Sequence, residues 1–351
     1  MKKKAFAILT LCISLFAAVA LVGCGGSGGM GGMKAVSSDQ TESKETAITV
    51  SGDSYPLTVT DYFGHETVLE EPPKRVAVLS GTPLNIWYDL GGKSICTSDI
   101  SENLKIDPAY ADELLALPVV GAVYSLDMEA VLSANADLVI VQAGVQSAAS
   151  QTLRDMGIPV LTVNIRTYED LVANYRAFGK ILQAEDLAEE KIEKMSAERQ
   201  SLIDQAPKEA KTVAILYLTS SSLSVKLNSS IAGDIATSLG IKNVAGDLPP
   251  DTIGSENAPL DIEFLVKQKP DLVLVTSMIG SNELAVETMQ KHFADNQAWQ
   301  SVEAVSEGKV YYLPQEYFLY NAGPYYNEAV RYMACTVYPE VFGEVSEWYG
   351  K

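Results

Sequence analysis

The sequence predicts an α/β fold of two lobes, each with a mostly parallel sheet flanked by helices, joined by one long helix. The first observation behind this prediction is a repeated unit: residues 126–141 read LDMEAVLSANADLVIV and residues 260–275 read LDIEFLVKQKPDLVLV, with seven identities in sixteen positions. Each copy begins as a short amphipathic helix and ends as a buried strand. The second observation is the alternation of strands and helices before and after a long helical stretch, which is typical of parallel sheets.

The first half reads as strand, loop and helix in turn. Thr82 is expected to cap the first helix and Pro83 to occupy its first position. The other expected elements are a hairpin at 55–69 that turns at Phe63-Gly64, a strand at 76–79, a helix that ends at Gly91, the first repeat unit, a helix at 148–156 and a strand at 160–163.

Residues 168–205 are predicted to be helical, with a break near residues 183–186, because apolar residues recur on one face. The strand pattern then starts again, since residues 212–216 (TVAIL) echo residues 75–79 (RVAVL). The second half is expected to contain a strand at 212–216, a helix at 231–239, the second repeat unit, a helix at 282–292, a strand at 309–313, a tyrosine-rich loop at 315–326 and a last helix at 326–337.

Composition narrows the class of function. The chain has 351 residues, 47% of them apolar and 20% charged, which is typical of a soluble globular protein with room for two domains. Its formal net charge of -19 leaves no basic surface for a phosphate backbone, so no nucleic-acid partner is expected.

The amino terminus carries an export signal. Three lysines at positions 2–4 precede an apolar stretch at 5–20, and Leu21-Val22-Gly23-Cys24 follows. This tetrapeptide resembles the lipobox of bacterial lipoproteins, which implies a signal peptide at 1–23 and a lipid anchor on Cys24, with an ordinary secretory leader or a membrane anchor as alternatives. Residues 24–54 are rich in glycine and polar residues and are predicted to be a flexible tether.

Together, the lipobox, the RVAVLS strand, the two xxExLxxxxPDLVxV units and the helical bridge resemble the substrate-binding lipoproteins of ABC importers. The nearest class takes up iron–siderophores, haem and cobalamin. The resemblance runs from about Tyr55 to Phe342, and the first unit departs from the pattern with Ala136 where the second has Pro270. It implies an N-terminal lobe at 55–166, a helical bridge at 167–206, a C-terminal lobe at 207–351 and a ligand held between the lobes.

The resemblance also assigns a role to the two repeat units. Glu129 and Glu263 would lie on outer helices and meet arginines of the importer's two permease subunits. A pair of exposed charges sets register more than binding strength. The alternative is that each is a first-turn glutamate favoured by the helix dipole. The protein is expected to be an extracytoplasmic monomer anchored in the cell membrane.

In open parallel sheets, ligands bind beyond the carboxyl ends of the strands. Residues after the predicted strands are therefore candidates for ligand contact, and several are aromatic or polar, which suits a bulky ligand with polar edges. Arg166 could clamp a carboxylate or form a salt bridge at the rim. Arginine is otherwise scarce, which disfavours strongly anionic catecholate chelates. The candidates are Thr82, Pro83, Trp87, Tyr124, Gln142, Arg166, Tyr217, Met278 and Tyr317.

No catalytic residue, cofactor or protein-bound metal is predicted. His65 and His292 do not follow strands, so a histidine-rich metal site is not expected. Cys96 and Cys335 are expected to be buried as small hydrophobic residues, with a disulfide as the alternative. The rival functions are an extracellular enzyme that modifies a chelate and a lipoprotein that senses one. The enzyme would need a base or nucleophile with a perturbed pKa at a strand end.

Overall fold

The computed structural model describes residues 46–101 and 104–345, and within them the predicted α/β fold is confirmed. The strands are β1 (Thr49–Ser51), β2 (Leu57–Thr60), β3 (Glu66–Leu69), β4 (Val76–Val78), β5 (Gly121–Ala122), β6 (Ser125–Leu126), β7 (Leu138–Gln142), β8 (Val160–Val163), β9 (Thr212–Thr219), β10 (Leu223–Lys226), β11 (Lys242–Asn243), β12 (Asn257–Pro259), β13 (Leu272–Met278) and β14 (Val310–Tyr312).

The α-helices alternate with these strands over most of the described chain. They are α1 (Gly81–Asp89), α2 (Ala111–Leu115), α3 (Met128–Ser133), α4 (Ser147–Asp155), α5 (Tyr168–Ile181), α6 (Glu185–Gln205), α7 (Ile231–Ser238), α8 (Ile262–Gln268), α9 (Asn282–Asp295), α10 (Glu303–Ser306), α11 (Gln315–Phe318), α12 (Tyr326–Val337) and α13 (Pro339–Phe342). Short 3-10 helices occur at Gln297–Ser301 and Gly323–Tyr325.

Two sheets organise the body. The first has the order β4-β7-β8, and all three strands are parallel. The second has the order β12-β10-β9-β13-β14, with β11 also beside β9. In it β9, β11, β13 and β14 are parallel, whereas β10 and β12 run antiparallel to their neighbours. The prediction of mostly parallel sheets is therefore confirmed, although it did not include the antiparallel strands.

The duplication seen in the sequence is also present in the hydrogen bonding. Val76 of β4 lies opposite Leu138 of β7, and Val213 of β9 lies opposite Leu272 of β13, in the same register. At the entry to each pair an aspartate binds the facing strand. Asp137 accepts hydrogen bonds from the backbone N–H of Lys74 and Arg75 at 2.8 and 3.0 Å. Asp271 accepts from the Thr212 N–H at 2.7 Å and from the Thr212 hydroxyl at 2.8 Å.

The predicted long helical stretch is two helices. Helix α5 begins at a capping box formed by Thr167 and Asp170, because each side chain binds the other's backbone N–H. It ends before Gln183, whose φ of 56° turns the chain, and α6 then runs for 21 residues. The break predicted near residues 183–186 is therefore confirmed.

The folded body begins earlier than the sequence indicated. Residues up to 54 were predicted to be tether, but β1 pairs with β2 and Ile48 is buried in the core. Pairing with a neighbouring strand overrides a weak local pattern. The remaining part of the predicted tether, together with the signal peptide and Cys24, lies outside the described residues.

One hydrophobic cluster contains strand residues of both sheets. It includes Val78 and Ile140 from the first sheet and Ile215 and Leu274 from the second, with side chains of α1, α5, α7 and α12 between them. The two sheets therefore share one core on this side. The division into lobes at residues 166 and 207 stays a prediction.

Candidate functional site at the carboxyl edges of the two sheets

Helix α1 begins two residues earlier than predicted. Its N-cap is Ser80, which has an extended backbone at φ −149° and ψ 146°, so the prediction of Thr82 as the cap is wrong. The reason is that Thr82 is committed elsewhere: it is buried, and its hydroxyl donates to the Asn321 carbonyl oxygen at 3.0 Å. This bond ties the residues after β4 to the segment before α12.

Two other candidates on α1 belong to the interior. Pro83 is buried. Trp87 is 1% exposed, its ring packs edge-on against Phe178 with centroids 5.3 Å apart, and its indole N–H donates to the Lys93 carbonyl oxygen at 3.1 Å. The indole therefore stabilises the contact between α1 and α5 and has no free surface for a ligand in this conformation.

At the end of β7 the polar side chains bind one another. The Ser80 hydroxyl donates to Gln142 Oε1 at 2.6 Å, and the Gln142 backbone N–H donates to Gln146 Oε1 at 2.9 Å. Gln146 Nε2 in turn donates to the Leu79 carbonyl oxygen at 2.5 Å. Gln142 is therefore at the predicted edge and is half-buried, in a network that fixes the ends of β4 and β7.

Arg166 reaches from the end of the first sheet to the second half of the chain. Its Nη1 donates to the Gly254 carbonyl oxygen at 3.3 Å, and its Nε lies 3.7 Å from Glu256 Oε2. Glu256 also pairs with Lys226, which is only 5% exposed. The Lys226 ammonium lies 3.9 Å from the centroid of the Tyr217 ring. We call Arg166, Tyr217, Lys226, Gly254 and Glu256 the junction cluster.

Charge and burial perturb the groups of the junction cluster. Burial, together with the charge of Glu256, raises the pKa of Tyr217 to about 12. Burial lowers the pKa of Lys226, although the adjacent Glu256 carboxylate opposes this change. The cluster is therefore an ion-pair network with a neutral phenol, and nothing in it resembles a nucleophile paired with a base.

A second connection between the halves involves Tyr317. Its hydroxyl accepts from Lys105 Nζ at 3.0 Å and donates to Glu328 Oε2 at 2.9 Å. Lys105 also pairs directly with Glu328 and lies over the ring of Tyr325 at 4.6 Å. Burial opposes the charge on Lys105, but its bonds to Glu328 and Tyr317 raise its pKa. Tyr317 is therefore held by partners of both halves.

The last two candidates are exposed. Tyr124 is 78% exposed in the loop between β5 and β6, and Met278 is 54% exposed at the end of β13. The structure therefore brings Arg166 and Tyr217 into one cluster. Thr82 bonds to the C-terminal segment that contains Tyr317, and Tyr317 in turn bonds to Lys105 of the first half. The structure does not join Tyr124 to them.

Sequence reasoning missed Lys105, Lys226 and Glu256. Each lies in a segment without a clear period, and Lys226 and Glu256 are brought together only by the antiparallel pairing of β10 with β12. A charged residue at the end of an apolar stretch, as in Leu223–Lys226, was the one available signal.

The two repeat glutamates occupy matching positions. Glu129 lies in the first turn of α3, where Asp127 caps the backbone N–H of residues 129 and 130. Glu263 lies in the first turn of α8, which is capped by Asp261. Both glutamates are exposed, and neither has a salt-bridge partner among the described residues. Each helix is followed by a left-handed residue with φ 49°, Asn135 or Lys269.

Other site types find little support in the described part of the chain. No group of three or more histidine, cysteine, aspartate or glutamate side chains there could hold a metal ion. Cys96 and Cys335 are buried and free, which confirms the prediction that they act as small hydrophobic residues. No helix between residues 46 and 345, apart from the undescribed positions, is long and apolar enough to cross a membrane. A cavity of about 530 Å³ lies between β1 and α5, and no residue of the junction cluster lines it.

Two sheets of mostly parallel strands are connected by the polar contacts of Thr82, Arg166 and Tyr317. A family model described as "periplasmic binding protein" matches residues 76–317, and the chain belongs to that family. The resemblance to substrate-binding proteins of ABC importers is thereby confirmed.

Individual relatives agree in length and fold. The chain is 25% identical over 338 residues to an uncharacterized ABC transporter substrate-binding lipoprotein, YvrC, of Bacillus subtilis, covering 94% of this chain and 96% of that one. It is similar to a solved ABC transporter substrate-binding protein of Listeria monocytogenes (TM-score 0.64, 18% identity, 76% and 99% of the two chains). It is also similar to S. aureus IsdE, solved in complex with heme (TM-score 0.66, 18% identity, 75% and 98%).

Proposed function

We propose that this protein captures an iron chelate, haem or a corrinoid between the carboxyl edges of its two sheets and delivers it to an ABC importer. The observation that carries the proposal is the matched pair of exposed glutamates, Glu129 and Glu263, on equivalent helices of the two repeat units. Membership in the periplasmic binding protein family and the heme bound by the similar S. aureus IsdE support it. The protein performs no chemistry on the ligand.

The ligand proposal is tested by titration calorimetry of the full chain with a ferric trihydroxamate, haem and cobalamin. We expect one of these classes to bind in the micromolar range or tighter, which corresponds to about 8 kcal/mol or more. Absence of binding to all three would contradict the proposed ligand class.

The docking proposal assigns one glutamate to each permease subunit. The two carboxylates are carried by short capped helices, which hold each one in a defined local position, and each is free of competing ion pairs among the described residues. Two charges at a fixed spacing can match a two-fold partner. Exposed ion pairs contribute only about 0.2–1 kcal/mol each, so we assign them to orientation on the permease.

The docking test is charge reversal in the combined Glu129→Arg and Glu263→Arg variant. We expect uptake by cells to be lost while ligand affinity in solution changes less than about twofold, since no residue of α3 or α8 belongs to the junction cluster. The matched control reverses Glu190 and Glu193, which are exposed on α6. Equal losses of uptake in both variants, or a parallel loss of affinity, would rule out the docking role.

Membrane attachment through Cys24 completes the proposal. We expect Cys24→Ala to release the protein into the medium or periplasm and to abolish its labelling by radioactive palmitate. Continued labelling of the variant would show that another residue carries the lipid.

A further inference from the structure

Glu256 lies between two cations contributed by different halves of the chain. One carboxylate oxygen pairs with the Lys226 ammonium, and the other lies 3.7 Å from Arg166 Nε. The Gly254 carbonyl oxygen accepts a further hydrogen bond from Arg166 at 3.3 Å. Arg166 follows β8 at the carboxyl edge of the first sheet, where a ligand is expected, and its guanidinium is already engaged by Gly254 and Glu256.

The burial of Lys226 makes a counter-charge necessary. Its side chain is 6% exposed, whereas those of Glu256 and Arg166 keep 24% and 27% exposure. A buried ammonium without a partner costs several kcal/mol. Glu256 therefore satisfies an interior charge with one oxygen while its other oxygen remains near solvent and near Arg166.

Further carboxylates leave no excess of positive charge at this place. Asp251 interacts electrostatically with Lys226. Asp170 Oδ2 accepts the backbone N–H of Arg166 at 3.0 Å. Asp170 binds the backbone of Arg166 and not its guanidinium, so Glu256 and Asp251 are the two carboxylates that match Arg166 and Lys226, and an incoming anion meets no unmatched cation.

Exposed apolar side chains beside Gly254 and near the ends of β7 and β13 favour an uncharged ligand as well. Ile253 is fully exposed beside Gly254, and Val145 and Met278 are 52% and 54% exposed after β7 and β13. Exposed apolar side chains at a binding edge gain free energy when a ligand covers them.

We propose that Glu256 determines ligand specificity by neutralising Arg166 and Lys226, so that the site accepts uncharged or cationic metal chelates and rejects anionic ones. This inference rests on the proposed function. It narrows the ligand class to chelates of the hydroxamate type or uncharged corrinoids, because specificity is set here by a repulsive group as much as by attractive contacts.

The test uses one ferric linear trihydroxamate in three forms that differ only at the terminal amine: free and cationic, acetylated and uncharged, or succinylated and anionic. We expect the wild type to bind the succinylated form at least about tenfold more weakly than the acetylated form. In Glu256→Gln the succinylated form should gain about tenfold in affinity, while affinity for the acetylated form changes less than about threefold.

Two further variants keep the test decisive. Glu340→Gln removes one negative charge beside Lys211, just before the amino end of β9, and should leave the preference unchanged. Arg166→Gln removes one cation beside Glu256, so it should further weaken binding of the succinylated form relative to the acetylated form. Thermal unfolding shows whether Glu256→Gln folds. If it does not, Arg166→Gln provides the test.

The outcomes separate the two proposals. If the wild type binds the chelates but Glu256→Gln leaves the preference unchanged, or if haem binds more tightly than every uncharged chelate, the specificity inference is overturned and the transport role stands. If none of the three forms, haem or cobalamin binds the wild type, the proposed function itself fails, and the inference fails with it.

Discussion

Asp234 is the residue at which three helices meet. It lies on α7, and its Oδ2 accepts the backbone N–H of Tyr168 at the start of α5 at 3.0 Å. The same oxygen accepts the hydroxyl of Tyr326 at the start of α12 at 2.7 Å. One carboxylate oxygen therefore fixes the positions of the helices that carry the shared core.

Removing this acceptor should destabilise the fold. Asp234→Ala leaves a buried N–H and a buried hydroxyl without a partner, at about 1–3 kcal/mol for each group, so we expect a total loss of about 2–6 kcal/mol. Urea unfolding followed by circular dichroism measures it. Asp234→Asn is the control, since it keeps an oxygen in place and should stay within about 1 kcal/mol of the wild type. An Ala variant as stable as the Asn variant would contradict this role.

The same carboxyl group predicts a pH dependence. Burial raises the pKa of Asp234 above its ordinary value of 3.8, although the bond from Tyr326 opposes the change. The folded state therefore binds the proton more tightly than the unfolded state, and this stabilisation is present at low pH and lost as pH rises through the folded pKa. We expect the wild type to gain stability relative to Asp234→Asn as pH is lowered from neutrality to about 4. A constant difference over that range would contradict the raised pKa.

At the scale of single residues, the sequence indicates which side chains lie at strand ends, but it does not indicate which distant side chains they contact. Arg166 was placed at a strand end, and its salt-bridge alternative is what the structure contains. Its partner Glu256 lies 90 positions away in sequence, and no local pattern connects the two. Thr82 was read as a cap because of its neighbour Pro83, but a hydrogen bond to Asn321 of the C-terminal segment decides its role.

Helices α5 and α6 pack closely against each other at Gly179 and Ala188. A methyl group at Gly179 would lie 2.6 Å from the Cβ of Ala188, so the two backbones approach as closely as they do only because residue 179 has no side chain. The Arg176–Glu189 ion pair flanks this contact on the exposed side. The turn at Gln183 therefore brings the two helices into antiparallel contact.

A substitution cycle tests this packing. Gly179→Ala should destabilise by about 1–3 kcal/mol through overpacking, even though alanine favours a helix. Ala188→Gly alone should cost about 1 kcal/mol in helix propensity. The double variant moves the methyl group to the other helix, so we expect it to be more stable than the sum of the single effects by about 1 kcal/mol. Strict additivity in denaturant unfolding would show that these residues do not constrain the helices.

Elements with a local period were predictable, and elements that depend on a distant partner were not. Strand β8, helix α12 and the break before α6 were found from apolar patterns and turn signals alone. Strands β10 and β12 were missed because LSVK and NAP carry no strand pattern, and their pairing with β9 and with each other creates them. The same reason explains why β1 was read as tether.

On the scale of the whole molecule, an internal duplication places a strand pair, a capping aspartate and an exposed glutamate in each half. The matching bonds of Asp137 and Asp271 show that the repeat extends from sequence to backbone geometry. The junction cluster and the shared core both contain residues of the two halves. Glu129 and Glu263, the proposed docking residues, lie on α3 and α8 and are not part of the junction cluster.

Hydrogen exchange with and without the tightest-binding ferric trihydroxamate tests most directly whether the ligand lies between the two carboxyl edges. We expect slower exchange in the residues that follow β4, β7 and β8 of the first sheet and β9, β13 and β14 of the second, with α3 and α8 unchanged. Slower exchange confined to one sheet, or to the cavity between β1 and α5, would contradict the account.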